Sequence, residues 1–359
     1  MTTLDEQIRS LDECDSPPSA NLKRPFRWAV LLGCVTFPLI WAGGLVTSTD
    51  AGMAVPDWPN TYGYNMFSYP FESWFFGPWD LFIEHGHRLL GSTAGLVAIL
   101  LMISTFRNSK NGCLRWMSVF ALLLVIVQGL LGGVRVLAAD RILAMVHGCV
   151  GPAFFAFSAA FATVLYQNSR DFKTTARSTQ SSKLQTLTIC LTAGSFLQLV
   201  LGANMRHIEE SASFHWFRLL VLLHVLFATV VLLLTVVIFI IRRANGKRFE
   251  SIRGTSLLVA FFVIVQYGLG VGTWITKYHW PFGSDQSSLF SGLLILDKSM
   301  LQTSIVTGHV AMGSLILMTS TVMMMQLFSW QITNPQDTGK MVESPKNRDM
   351  QISSLGVQA

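Results

Sequence analysis

Residues 87–106 read HRLLGSTAGLVAILLMISTF, and this stretch decides the class of fold. After Arg88 it contains no charged side chain. Because a helix rises about 1.5 Å per residue, about 20 apolar residues cross the ~30 Å hydrocarbon core of a bilayer. The stretch therefore predicts a membrane-spanning helix. His87, at its start, is a polar residue of the kind that usually marks a functional site inside a membrane.

Seven further runs share this length and composition: about 27–47, 116–136, 142–166, 184–204, 216–241, 255–276 and 300–328. Hydrophobic residues make up 51% of the 359-residue chain and charged residues only 13%, a composition that excludes an ordinary soluble domain. We predict an all-α polytopic membrane protein with eight transmembrane helices.

The basic residues are distributed unevenly between the two ends of the predicted helices. With the N-terminus in the cytoplasm, 19 of the 26 Lys and Arg residues fall in cytoplasmic segments, the asymmetry known as the positive-inside rule. The first run is too long for a signal peptide and follows 26 residues of polar tail, so we expect it to remain uncleaved. The charge pattern predicts a multi-pass protein of the cell (inner) membrane with both termini cytoplasmic and no nucleic-acid partner.

Four histidines lie one each in the even-numbered runs, and each is followed four residues later by glycine or alanine. The pairs are His87 and Gly91, His147 and Gly151, His224 and Ala228, and His309 and Gly313. Positions i and i+4 share one helix face, so a flat group has room beside each imidazole. Haem iron commonly takes histidine ligands, and helical bundles place such sites between facing helices. We interpret the set as axial ligands of two haems. The other histidines, His85, His207, His215 and His279, fall at span edges or outside them and are interpreted as interfacial polar residues.

The odd-numbered runs carry a second repeat, Gln-x-x-Leu-Gly, which begins at Gln128, Gln198 and Gln266. Helix packing and contact with a bound haem both account for it. Together the two repeats predict four two-helix units, arranged as two pseudo-symmetric four-helix bundles. The predicted domains are a polar tail (1–26), an N-terminal half (27–166), a cytoplasmic linker (167–183), a C-terminal half (184–328) and a disordered tail (329–359).

The first histidine is distinguished by its neighbours, Glu84-His85-Gly86-His87-Arg88. Glu84 and Arg88 have the spacing of an ion pair on a helix. The same spacing also places the Glu84 carboxyl beside a group bound by His87, where it stabilises positive charge or moves protons. Both interpretations remain open from the sequence. The aromatic-rich outer loop that precedes this motif is interpreted as an interfacial belt rather than a lid.

These residues resemble the haem A synthase family. The similarity rests on Glu84-x-x-His87-Arg88, on the four histidines of the even-numbered runs, and on Ala51-Gly52 with Pro56-Asp57-Trp58-Pro59 in the first outer loop. It extends from Trp28 to about Met325 and leaves out both tails.

The resemblance implies an oxidoreductase that converts a ring methyl of haem O to a formyl group by successive hydroxylations, for haem-copper oxidase assembly. It implies that His87 and His147 ligate the substrate haem iron, that His224 and His309 ligate the iron of a haem b cofactor, and that Glu84 is the catalytic acid. The implied partners are the lipid bilayer, the haem O-making farnesyltransferase and an unidentified electron donor.

One departure from the family pattern lies in the first outer loop. Many bacterial members carry a cysteine pair there, and the corresponding positions are Val55 and Thr61. A thiol-based role of this loop is therefore excluded for this chain. Two other classes of function remain alternatives: a di-haem b-type membrane electron carrier, which needs no carboxylate beside a haem, and a transporter, which binds no haem.

Overall fold

The computed structural model describes residues 21–169, 181–208, 212–278 and 299–328. Within these ranges eight helices are long and apolar enough to cross a membrane, as predicted. They are α1 (Lys23–Ser48), α2 (Trp79–Asn108), α3 (Gly112–Leu137), α4 (Arg141–Ser169), α5 (Ser182–Arg206), α6 (Phe214–Ala244), α7 (Arg253–Tyr278) and α8 (Met300–Leu327). The predicted disorder of both tails, most of the predicted linker and His279 lie outside the described residues.

Polar side chains at the helix starts explain where several spans begin. A side-chain oxygen accepts a hydrogen bond from the backbone N–H three residues later at the start of α3, α6 and α8, where the capping residues are Asn111, Ser213 and Ser299. Such a cap satisfies one of the N–H groups that a helix start leaves without a partner. In a bilayer this matters more, because no water replaces the missing bond.

The helices of each half pack in a ring. In the N-terminal half, α1 and α3 each pack against both α2 and α4, and in the C-terminal half α5 and α7 each pack against both α6 and α8. Each half also has its own core of buried side chains, with Leu101 and Phe161 in the first and Leu191 and Ile238 in the second. The pseudo-symmetric two-bundle arrangement stays a prediction, which these contacts support.

Helix α8 connects the halves, since it packs against α1 and α4 as well as against its own ring. The loop between α1 and α2, residues 49–78, is called loop 1 below. It contains a 3₁₀ turn (Ala51–Met53) and a short helix (Phe71–Phe75). We call the end of the molecule that carries it the loop-1 end.

Candidate functional site

The four histidines of the even-numbered helices form two facing pairs. The ring centroids of His87 on α2 and His147 on α4 are 6.3 Å apart, and those of His224 on α6 and His309 on α8 are also 6.3 Å apart. Because α2 and α4 both pack on α1 and α3, each pair faces across the interior of its ring of helices. These are the two pairs that the family resemblance implied as ligand sets, and the structure adds the distance between their rings.

The spacing of both pairs fits one iron held between two imidazoles. With a metal–imidazole bond of about 2.0 Å on each side, two opposed rings on one iron have their centroids about 6 Å apart. In addition, a backbone carbonyl of the preceding helix lies beside three of the rings: that of Leu39 at His87, that of Gln128 at His147 and that of Gln266 at His309. At His147 this contact is made by Nδ1, which leaves Nε2 of the ring to bind a metal. The residues present therefore fit a haem at each pair.

A glycine of the preceding helix faces each imidazole. A Cβ built on each glycine would lie 2.9–3.3 Å from Cε1 of the imidazole that it faces. The pairs are Gly43 with His87 (2.9 Å), Gly132 with His147 (3.0 Å), Gly202 with His224 (3.3 Å) and Gly270 with His309 (3.2 Å). Three of these glycines end the Gln-x-x-Leu-Gly repeats, and Gly43 is the corresponding residue of α1. The glycines let the helices approach closely enough to fix the orientation of each ring.

The glutamines of the repeat bond across the same helix pairs. The amide Nε2 of Gln128 donates to the carbonyl of His147 at 2.8 Å, and that of Gln198 donates to the carbonyl of His224 at 2.8 Å. Nδ1 of His147 lies 3.1 Å from the carbonyl oxygen of Gln128. Of the two interpretations of the repeat, helix packing therefore describes Gln128 and Gln198.

These contacts also correct the interpretation of the small residue four positions after each histidine. A Cβ on Gly151 would lie 3.1 Å from Nε2 of Gln128, and one on Gly313 would lie 3.3 Å from Nε2 of Gln266. The space beside these two glycines holds a glutamine amide, so the expectation that it receives a flat ligand was wrong there. At Gly91 a Cβ would meet nothing within 4 Å.

Glu84 and Arg88 form a buried ion pair that also anchors loop 1. Nη2 of Arg88 lies 3.0 Å from Oε1 of Glu84, and the Glu84 side chain is 2% exposed. The other oxygen, Oε2, accepts the backbone N–H of Val55 at 2.9 Å. The Arg88 guanidinium donates to the carbonyls of Val55, Asp57 and Asn60 at 2.7–2.9 Å. The ion-pair interpretation thus describes the contacts present, and the pair positions loop 1 against α2.

Asp57 stabilises the turn of loop 1 from within. Its carboxylate accepts the backbone N–H groups of Tyr62 at 2.8 Å and Gly63 at 2.7 Å. Partial burial raises the pKa of the Asp57 carboxyl, but these two hydrogen bonds and the charge of Arg88 outweigh it, so the pKa lies below its ordinary value. The next residue, Trp58, packs its ring directly on Gly133 of α3. Loop 1 therefore covers the N-terminal ring of helices, whereas the sequence had favoured an interfacial belt over such a lid. Three of its aromatic side chains, Tyr62, Tyr64 and Phe67, are nevertheless exposed.

His85 differs from the expectation of an interfacial residue because it is only 1% exposed. Its Nδ1 lies 3.1 Å from Oγ1 of Thr61, and its ring contacts those of Tyr69 and Trp74. Thr61, one of the two positions at which the sequence departs from the family pattern, is thus a hydrogen-bonding partner of His85. His215 is exposed, and His207 is partly buried at the end of α5.

Comparisons with known proteins place the chain in a family. A model of the family described as cytochrome oxidase assembly protein matches residues 78–285. The chain is 30% identical to a protein named heme A synthase from Lysinibacillus sphaericus (strain C3-41), over 195 residues that make up 52% of this chain and 60% of that protein. It is 26% identical to a heme A synthase from Exiguobacterium sp. (strain ATCC BAA-1283 / AT1b), over 65% of this chain and 77% of that protein.

The resemblance found in the sequence is thereby confirmed at the level of the family, while the first of these relatives is matched over less than two thirds of its length. Since the family match covers more than half of the chain, the protein belongs to the cytochrome oxidase assembly protein family that includes the heme A synthases.

Proposed function

We propose that the protein is an oxidoreductase that converts haem O to haem A, by oxidising one ring methyl to a formyl group through successive hydroxylations. The observation that carries the proposal is the pair of facing histidines in each half, both with the 6.3 Å spacing of two ligands on one iron. The names of the matched relatives support the same activity.

The two pairs take different roles because their surroundings differ. His87 and His147 would hold the substrate haem, since Glu84, Arg88 and loop 1 lie at this pair. His224 and His309 would hold a haem b cofactor. When bound, that haem supplies the capacity to accept and pass on single electrons.

Loop 1 and Glu84 would prepare the N-terminal site for the reaction. Four hydrogen bonds between the loop-1 backbone and the side chains of Arg88 and Glu84 hold loop 1 to α2. In this position loop 1 would exclude water from this end of the N-terminal half. The Glu84 carboxylate would stabilise positive charge that develops at the reacting methyl. Its two oxygens are fixed by Arg88 and by the N–H of Val55, so the negative charge is already oriented before substrate binds.

The membrane setting completes the proposal. The eight helices make this a multi-pass membrane protein, which we place in the inner cell membrane with both termini cytoplasmic. We further propose that residues 27–166 form the substrate half and 184–328 the haem b half. The lipid bilayer delivers an apolar substrate from the farnesyltransferase that makes haem O. The product would serve haem-copper oxidases, and the electrons would come from a separate donor protein.

The test is to express the protein together with a source of haem O and to identify the haems extracted from the membranes. We expect haem A, or its hydroxylated intermediate, with the wild-type chain. Replacing Glu84 by Gln should lower product formation at least about a hundredfold, whereas the exposed Glu72 of loop 1 replaced by Gln should have little effect. If two haems b are bound tightly and no oxidised haem forms, the protein is a di-haem electron carrier and the proposal fails. If no haem is bound, the transporter alternative is favoured.

A further inference from the structure

Arg135 is a cation that the repeat places beside only one of the histidine pairs. It follows Gly132 by three residues on α3, and Gly132 faces the ring of His147. Arg135 is therefore about 4.5 Å further along the helix towards the loop-1 end. The corresponding residues after Gly202 and Gly270 are Met205 and Thr273. The N-terminal half thus carries a positive charge where the C-terminal half carries uncharged side chains.

The guanidinium of Arg135 lies beneath loop 1 and close to the histidine pair. A Cβ built on Gly52 would lie 2.7 Å from its Nη1 and 3.4 Å from its Nη2, so the loop backbone rests directly on it. The charge is near enough to interact electrostatically with both His87 and His147. In the described ranges the guanidinium makes no hydrogen bond or ion pair. A partly buried arginine whose guanidinium N–H groups have no protein partner is suited to bind an anion.

Other cations around His207 increase the positive potential at the loop-1 end. The pKa of His207 is lowered to about 4, first by burial and then by the positive charges of Arg206, Arg135, Arg141 and Lys277. Asp50 supplies a negative charge near Arg206 and Lys277. Arg206 is itself bonded to α1, through the carbonyl of Gly44 at 2.8 Å and Oγ of Ser48 at 2.7 Å. Of these four cations, Arg135 is the one whose charge acts on both His87 and His147.

We propose that Arg135 binds a propionate carboxylate of the haem held between His87 and His147. This inference rests on the proposed function, and it names the group that orients the substrate. A haem carries its two propionates on one edge of the ring. His87 and His147 would hold the iron, but two imidazoles alone would not set which edge of the haem faces which helix. A bidentate bond from Arg135 to a propionate sets that orientation, and with it the ring edge that faces Glu84. Arg135 is therefore a specificity-determining residue.

The test compares haem b with its dimethyl ester, in which both carboxylates are blocked. Each is titrated into the purified full-length protein that already carries its resident haem. A variant with both His87→Ala and His147→Ala lacks both proposed iron ligands of the N-terminal site and provides the blank. A charge-assisted hydrogen bond gives the wild type a preference of about tenfold to a hundredfold for the free acid. Arg135→Gln should remove most of this preference. Arg107→Gln, which removes the same charge at the opposite end of α2, should leave it unchanged.

Three results would overturn the inference: a wild type that binds the ester as tightly as the acid, an Arg135→Gln variant with the wild-type preference, or equal loss in the Arg107→Gln control. Arg135→Lys keeps the charge without the planar fork, so it should retain part of the preference. That variant and the wild-type comparison decide the matter even if Arg135→Gln does not fold. If no haem binds at the N-terminal site, both the proposed haem site and this inference are contradicted. If haem b and its dimethyl ester bind equally well, only this inference is contradicted.

Discussion

Replacing Gly132 by Ala should weaken haem binding at the N-terminal pair and leave the C-terminal pair intact. The new Cβ would lie 3.0 Å from Cε1 of His147. Ordinary carbon–carbon contacts begin near 3.5 Å, so the imidazole must move by about 0.5 Å. A ligand displaced by that much lies at the limit of productive geometry, and loss of a residue that orients a ligating histidine typically costs about tenfold to a hundredfold in metal affinity. We expect a loss of that size, measured by titrating haem b into the purified protein.

Gly129 provides the matched control, because it lies one turn earlier on the same helix and a Cβ there would meet nothing within 4 Å. Gly129→Ala should leave haem affinity unchanged and, as a replacement of glycine inside a helix, stabilise the protein by about 0.5–1 kcal/mol. The reasoning is refuted if Gly132→Ala binds haem at the N-terminal pair like the wild type. It is equally refuted if the haem held by His224 and His309 is the one that is lost.

Two further predictions concern loop 1. Gly133→Ala places a Cβ inside the ring of Trp58, so we expect it to displace loop 1 and to lower the free energy of unfolding by about 1–3 kcal/mol. Hydrogen exchange of the backbone amides of residues 49–70 should become faster. Unchanged exchange would contradict the packing of Trp58 on Gly133. Because the pKa of Asp57 is lowered in the folded loop, its stabilising effect is present above the unfolded value of 3.8 and is lost as the pH falls through the folded value. The amides of Tyr62 and Gly63, corrected for their intrinsic exchange rates, should therefore lose protection from hydrogen exchange only below about pH 4. Asp57→Asn should remove this pH dependence. If protection in the wild type does not change with pH, the carboxylate does not hold the turn.

The eight helices could be predicted because hydropathy and the length of an apolar run directly reflect the thickness of a bilayer. The start of α2 shows where this signal ends. The helix begins at Trp79, eight residues before the apolar run, and its first turns bury Glu84 and His85 under loop 1 rather than in lipid. Hydropathy cannot distinguish a polar turn covered by protein from a turn in water, so the boundary was misplaced.

The candidate site was predictable as a set of residues but not as an arrangement. The histidines stand out because imidazoles are rare in apolar runs. Their pairing came only from the family resemblance, because it depends on which helices lie diagonally in each four-helix half. The glycine that faces each imidazole comes from the neighbouring helix. Residue spacing along a single helix cannot predict such a contact between helices. The relation of Arg135 to Gly52, and that of Thr61 to His85, likewise arises from the path of loop 1, which carries no periodic signal.

The most direct test of the account is the near-infrared magnetic circular dichroism of the purified protein loaded with haem, measured in the wild type and in four variants. Two irons, each with two histidine ligands, are expected in the wild type. His224→Met and His309→Met should convert only the resident haem to histidine–methionine ligation, while His87→Met and His147→Met should leave the resident haem unchanged and alter only the haem added afterwards. Loss of the resident haem from the two N-terminal variants, with the C-terminal variants unaffected, would contradict the assignment of the two sites.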